Sequence, residues 1–241
     1  MSVFLRRSCG AALAYAVATQ GAFADLTADD VWSNWQGYFT SMGYTITGDE
    51  SSAGGVTTIS NMTLSMALSE EDGQFQMVMP EMTLTENGDG TVTIGVPEHF
   101  PMRVTGQAEE GDFAATVTYS HSQLNMVASG TPEDMTYDYT ADTLGGSLDS
   151  VEVDGEAVPD DVIDLAVEAD DLTGSSRMQI GENRDLTQTF NAASLTYNMS
   201  FQDPESGETG LINGQLDQLA FEGENVFPTE FDLSDPQAFY E

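Results

Sequence analysis

From Val56 onward the chain keeps a period of two. Val56, Thr58, Ser60, Met62, Leu64, Met66 and Leu68 share one parity and alternate with mostly polar neighbours. Successive side chains of a strand point to opposite faces, so this pattern predicts strands with one buried face. Phe75, Met77 and Met79 continue it, Pro80 interrupts, and Met82 and Leu84 resume on the other parity. The flip predicts a bulge or an edge at Pro80. Further series follow: Val92 to Val96, Phe113 to Tyr119, Leu124 to Ala128, Met135 to Tyr139, Ile163 to Ala169, Leu195 to Phe201 and Ile212 to Phe221. Together they predict a meander of roughly ten to twelve antiparallel strands, apolar on one face and acidic on the other. The predicted sheet covers about residues 55 to 222.

A long sheet that is apolar on one face only must curl, fold into two layers or be covered. Only one covering element is legible. In residues 27–42, Val31, Trp32, Trp35, Phe39 and Met42 recur at helical spacing. Thr27 with Asp30 makes a capping box, and Gly43 is a natural stop. Both tryptophans of the chain lie on this stripe. The expected fold is therefore mainly β (α+β): a long curved antiparallel meander or half-barrel with one N-terminal amphipathic helix packed on it.

Residues 1–24 read as a signal peptide rather than as part of the fold. Arg6 and Arg7 precede the short apolar run 9–18, and Ala22-Phe23-Ala24 forms a small-residue cleavage site. The apolar run falls well short of the ~20 residues a spanning helix needs. Cleavage after Ala24, a periplasmic location and a single β-rich domain over 25–241 are expected. Cys9 is the only cysteine and lies in the leader, so the mature chain needs no disulfide and has no thiol for metal binding or catalysis.

Charge narrows the partners. The formal charge is −36, and more negative still without Arg6 and Arg7. Arg103, Arg177 and Arg184 are the only cationic side chains after residue 24, against 41 acidic residues. Nothing in such a chain replaces phosphate counterions, so nucleic acid is not an expected partner. An anionic lipid surface would repel it as well. Non-specific association with cations, and stabilisation by salt, are expected.

Motifs that would carry chemistry are few. In "LTENGDGTVTIGVP" (84–97), an EF-hand register with Gly90 sixth places Thr85 first and Val96 twelfth, where acidic ligands belong. Gly88 in sixth place fails likewise, with Thr83 first and Ile94 twelfth. Asn87-Gly88 and Asp89-Gly90 between alternating apolar residues instead predict a hairpin turn. His99 lies in a turn, and His121 continues the parity of Phe113 to Tyr119. The acidic runs at 70–73, 108–112, 159–161 and 168–171 read as solvated turns and faces. No catalytic residue, metal ligand or cofactor is assigned.

Several stretches resemble an exported alphaproteobacterial family known as domain of unknown function 2125: "DVWSNWQGYFTSMGYTI", "NMTLSMAL", "LTENGDGTVTIGVPEHFPM", "DLTG" and "FPTEFDLSDPQAFYE". The resemblance covers most of residues 25–241 and implies a periplasmic protein, with no catalytic residues to carry over. Members tend to be considerably longer, so a chain shortened at its C-terminus is expected.

The functional expectation is a non-enzymatic binding or envelope-maintenance module with a hydrophobic, lipid-like ligand groove. Twelve methionines, largely on the apolar parity, suit an adaptable surface. Trp32, Trp35, Phe39 and His121 are the candidate groove residues. The partner expected is a lipid or an envelope protein, with no membrane span. An acidic structural or adhesive protein stabilised by salt or divalent cations is the alternative. An outer-membrane barrel and an enzyme rank below both.

Overall fold

A computed structural model describes residues 25–69, 73–108, 111–159, 161–203 and 206–228. The leader, the acidic residues 70–72 and 109–110, and the chain after Pro228 lie outside the described residues. The fold is mainly β: one N-terminal helix packed on an extended antiparallel sheet.

Helix α1 spans Ala28–Ser41 and starts where its capping box places it. Asp30 N–H donates to Thr27 Oγ1 at 3.2 Å, and Thr27 N–H donates to Asp30 Oδ2 at 3.0 Å. Each bond satisfies a donor that the first turn would otherwise leave unpaired. Ala28 N–H donates to Glu86 Oε1 at 3.1 Å, which ties the helix start to the sheet. Gly43, at φ 82°, turns the chain away after the C-cap Met42.

Among the described residues the sheet has thirteen strands: β1 Thr45–Ala53, β2 Val56–Ser69, β3 Gly73–Val78, β4 Met82–Glu86, β5 Val92–Gly95, β6 His99–Ala108, β7 Gly111–Ser122, β8 Asn125–Thr131, β9 Asp134–Val153, β10 Glu156–Ala157, β11 Ile163–Ile180, β12 Asn183–Gln202 and β13 Thr209–Pro228. Three pairs of these are single runs with a break. Strands β3 and β4 both pair with β2, β5 and β6 lie alongside them, and β7 and β8 both pair with β9. The topology is therefore an up-and-down meander, with β10 a short hairpin return on β9. Its two edges are β1 and β13.

The breaks fall on one line across the sheet. Asn61 stands between the pairs Ile59↔Met82 and Thr63↔Val78, opposite Pro80. Gln123 interrupts β7–β8 beside Asp142, Asp171 lies on the other side of Asp142, and Gln218 lies opposite Ala193. Asn61, Gln123, Asp171 and Gln218 have φ of 51°, 51°, 48° and 57°. One left-handed residue inside a strand bends it and inverts the in/out parity beyond it. Inward positions accordingly run Thr57, Ile59 and then Met62, Leu64 in β2, and Ala169 then Leu172 in β11.

This corrects the sequence-based register of β2. Thr58 and Ser60 do not share a face with Met62, because Asn61 shifts the phase. The flip expected at Pro80 is present, and Asn61 is its partner across the ladder.

This line of left-handed bends, at which the pairing register is unchanged, divides the inner face in two. On one side α1 covers the main core, where Val31, Trp32, Ile59, Met82, Leu84, Val92, Ala128 and Met135 are almost completely buried. Along the line itself Ala141, Ala169, Leu172 and Ala192 form a second cluster, against which Tyr139, Leu144, Leu195 and Leu219 pack. The 84–97 stretch is a hairpin turn. Asn87 N–H bonds the Thr91 carbonyl at 3.0 Å, and Asp89 accepts from Thr91 N–H and Oγ1. Those bonds hold the Asp89 carboxyl below the usual range.

Candidate functional site

Beyond the line of bends Phe39 and Tyr44 still pack against the cluster that holds Ile46, Met62 and Leu64 of β1 and β2, whereas large apolar side chains farther along the inner face stand exposed. Phe113, Val153, Ile163, Val167, Phe201, Ile212 and Leu216 lie there on β7, β9, β11, β12 and β13, between 37% and 52% exposed. Contiguous apolar surface of this kind marks an interaction or ligand site more often than a solvated face.

The surface is also smoothed in a specific way. Phe113, Tyr139, Tyr197 and Phe201 each stand directly opposite a glycine on the neighbouring strand: Gly106, Gly174, Gly214 and Gly210. A Cβ at any of those glycines would collide with the facing ring. The rings therefore lie across the neighbouring strand, and the missing side chains make the room. Phe100 and Tyr119 stack at 4.6 Å between centroids beside them.

Where α1 crosses the sheet, a cleft of about 220 Å³ opens between the helix and strands β8, β9, β11 and β12. Trp35, Tyr38 and Phe39 line it from above, and Met126, Tyr137, Tyr139, Met178 and Leu186 from below. Tyr139 belongs both to this cleft and to the cluster along the bends, so the cleft adjoins that cluster. A larger depression of about 360 Å³ has a mixed wall, with Gln74, Gln76, Asp112 and Glu152 beside Phe113 and Ala114.

Three polar groups stand out in or beside the cleft. Asn34, 4% exposed, accepts the Tyr137 hydroxyl at 2.9 Å, but its Nδ2 has no partner. Either orientation of the amide leaves one buried polar atom unpaired. Burial pushes the Tyr137 hydroxyl pKa well up, and raises those of Tyr38 and Tyr139. Arg184 lies with its guanidinium against Gly37 of α1 and its Nη1 3.6 Å from Met178 Sδ. Its Nε is buried without a hydrogen-bond partner, and burial lowers its pKa. The two other arginines among the described residues differ: Arg103 pairs with Glu152 and Arg177 with Asp134, both at the surface.

The structure brings two of the four sequence-derived groove residues together. Trp35 and Phe39 line the cleft. Trp32 faces the core instead, 2% exposed, with Nε1 donating to Glu50 Oε1 at 2.8 Å. His121 is buried near the line of bends, against Tyr119, with Nε2 3.3 Å from the Val96 carbonyl oxygen. A carbonyl only accepts, so Nε2 is the donor in this contact and the unpaired ring atom is Nδ1. Arg184 and Asn34 were not singled out from sequence. Their signal was positional: Arg184 shares the inward parity of Leu186, and Asn34 lies on the stripe between Val31 and Tyr38.

Among the described residues no group of His, Cys, Asp and Glu is arranged to hold a metal ion, and no helix is long and apolar enough to cross a membrane. Comparison with protein-family profiles, curated proteins and solved structures finds no match for the chain.

Proposed function

We propose that this chain is an exported, periplasmic, non-enzymatic binding module that holds a lipid-like ligand against the inner face of its sheet. The observation that carries the reading is the partly exposed apolar face of ring-over-glycine pairs, one of which, Tyr139, lines the cleft under α1. The cleft alone is smaller than the roughly 300–1,000 Å³ of usual ligand sites. An acyl chain would begin there and continue over Tyr139 onto the open face. Each methylene so buried contributes about 0.8 kcal/mol. Six to eight of them would supply ~5–6 kcal/mol, which corresponds to affinity between millimolar and micromolar.

The leader-like residues 1–24 support export, and the resemblance to the uncharacterised exported family supports the same compartment. Native mass spectrometry of the mature chain from a periplasmic extract tests the reading. A co-purified lipid mass, or uptake of added lipid by the stripped protein, is expected. A bare mass that ignores added lipid contradicts it.

A second reading, an acidic structural or adhesive protein stabilised by cations, draws on the 41 carboxylates. It requires a saturable calcium transition in calorimetry that excess NaCl does not reproduce. On the binding-module reading, calcium acts only as a stronger screening ion.

A further inference from the structure

In a chain with 41 acidic residues, the arginine with the least exposure to water has no carboxylate partner among the described residues, while both surface arginines have one. A guanidinium partly withdrawn from water gains from an anion or acceptors that offset its lost hydration. Arg184 has a thioether and a helix backbone instead. One helical turn away, about 5 Å along α1, the Asn34 amide keeps an unpaired polar atom in the same cleft.

Resting on the lipid-binding reading, we propose that the ligand is a single-chain anionic amphiphile. Its head group is taken by Arg184 at the mouth of the cleft, its tail lies between Trp35, Phe39 and Tyr139, and Asn34 Nδ2 donates to a head-group oxygen. Gly37 makes the site possible. A side chain there would occupy the space of the Arg184 guanidinium, so its absence lets the cation lie against the helix, next to Met178 of the cleft lining. The strongly negative chain opposes an anionic ligand at long range, so its selection rests on the local contact with Arg184.

Two probes of equal chain length separate this inference from the reading beneath it: dodecanoate, and the uncharged monododecanoylglycerol. Calorimetric titration of the whole mature protein at about 0.15 M salt screens the general repulsion. The intact protein should prefer dodecanoate. Arg184→Gln should weaken dodecanoate by about tenfold to a hundredfold, the worth of a charge-assisted hydrogen bond, and leave the neutral probe within about threefold. Gly37→Ala keeps the charge but displaces it, and should give the same selective loss with the helix intact. Failure of both probes to bind overturns the lipid reading itself. Equal binding of both, unchanged in Arg184→Gln, overturns only the anionic head group. A third result also overturns it: if Arg184→Gln lowers stability with no effect on dodecanoate, Arg184 serves the fold and not a ligand.

Discussion

Tyr137 of β9 donates its hydroxyl hydrogen to Asn34 Oδ1 of α1 at 2.9 Å, a buried bond between residues 103 positions apart. It joins helix to sheet at the floor of the cleft. Tyr137→Phe keeps the ring and its contact with Trp35 but strands the Asn34 carbonyl oxygen beside an already unpaired Nδ2. The expected cost is about 1–3 kcal/mol in urea unfolding. No measurable change would mean that water reaches Asn34.

The two tryptophans are expected to separate stability from binding. Trp32 is 2% exposed and fills the main core, so Trp32→Ala should cost about 3–5 kcal/mol. Trp35 is only partly buried and lines the cleft. Trp35→Ala should cost clearly less, and should weaken ligand binding. Equal losses of stability would place Trp35 in the core rather than in a site.

The left-handed residues across the sheet predict an inversion of the usual glycine rule. Glycine inside a strand or helix normally destabilises by roughly 0.5–1 kcal/mol. At Gln123 and Gln218, with φ of 51° and 57°, a non-glycine residue carries about 1–2 kcal/mol of backbone strain. Gln123→Gly and Gln218→Gly should therefore be neutral or stabilising by up to about 1 kcal/mol. The same change at the neighbouring inward position Leu172 should be strongly destabilising. Losses of more than about 1 kcal/mol at Gln123 or Gln218 would show that those bends are not left-handed.

These bends also mark what sequence could and could not reveal. The helix was legible because Thr27, Asp30 and the Trp32–Phe39 stripe all agree, and the strands because one-sided burial imposes alternation. The bend at Pro80 was legible because proline breaks the pattern visibly. Asn61 was not: a single left-handed residue leaves Thr58, Ser60 and Met62 looking continuous although they are not. In the site, aromatic residues at helical spacing pointed to Trp35 and Phe39. Arg184 was hidden because a charged residue in an acidic strand reads as solvent-facing, and only its register against Phe227 and Ile180 places it inward.

Acid should weaken the surface pairs in a defined window. Hydrogen bonds from Arg177 and from Arg103 hold the carboxyls of Asp134 and Glu152 below their usual range. Their contribution is therefore present above the unfolded values, about 3.9 for Asp and 4.3 for Glu, and is lost as pH falls through the lowered folded values. Melting temperature should drop more steeply below about pH 4 in the native protein than in Asp134→Asn/Glu152→Gln. Identical acid limbs would show that neither pair persists in solution.

The most direct test of the account uses the protein's own fluorophores. Trp35 lines the cleft while Trp32 lies in the core on the other side of the helix stripe. A dodecanoate carrying bromine along its chain quenches only indole that it touches. Saturable, partial quenching is expected, which plain dodecanoate reverses and which disappears in Trp35→Phe, with the Trp32 emission left intact. Emission that stays unchanged up to the onset of micelle formation, or quenching that persists in Trp35→Phe, would contradict a ligand site between α1 and the sheet.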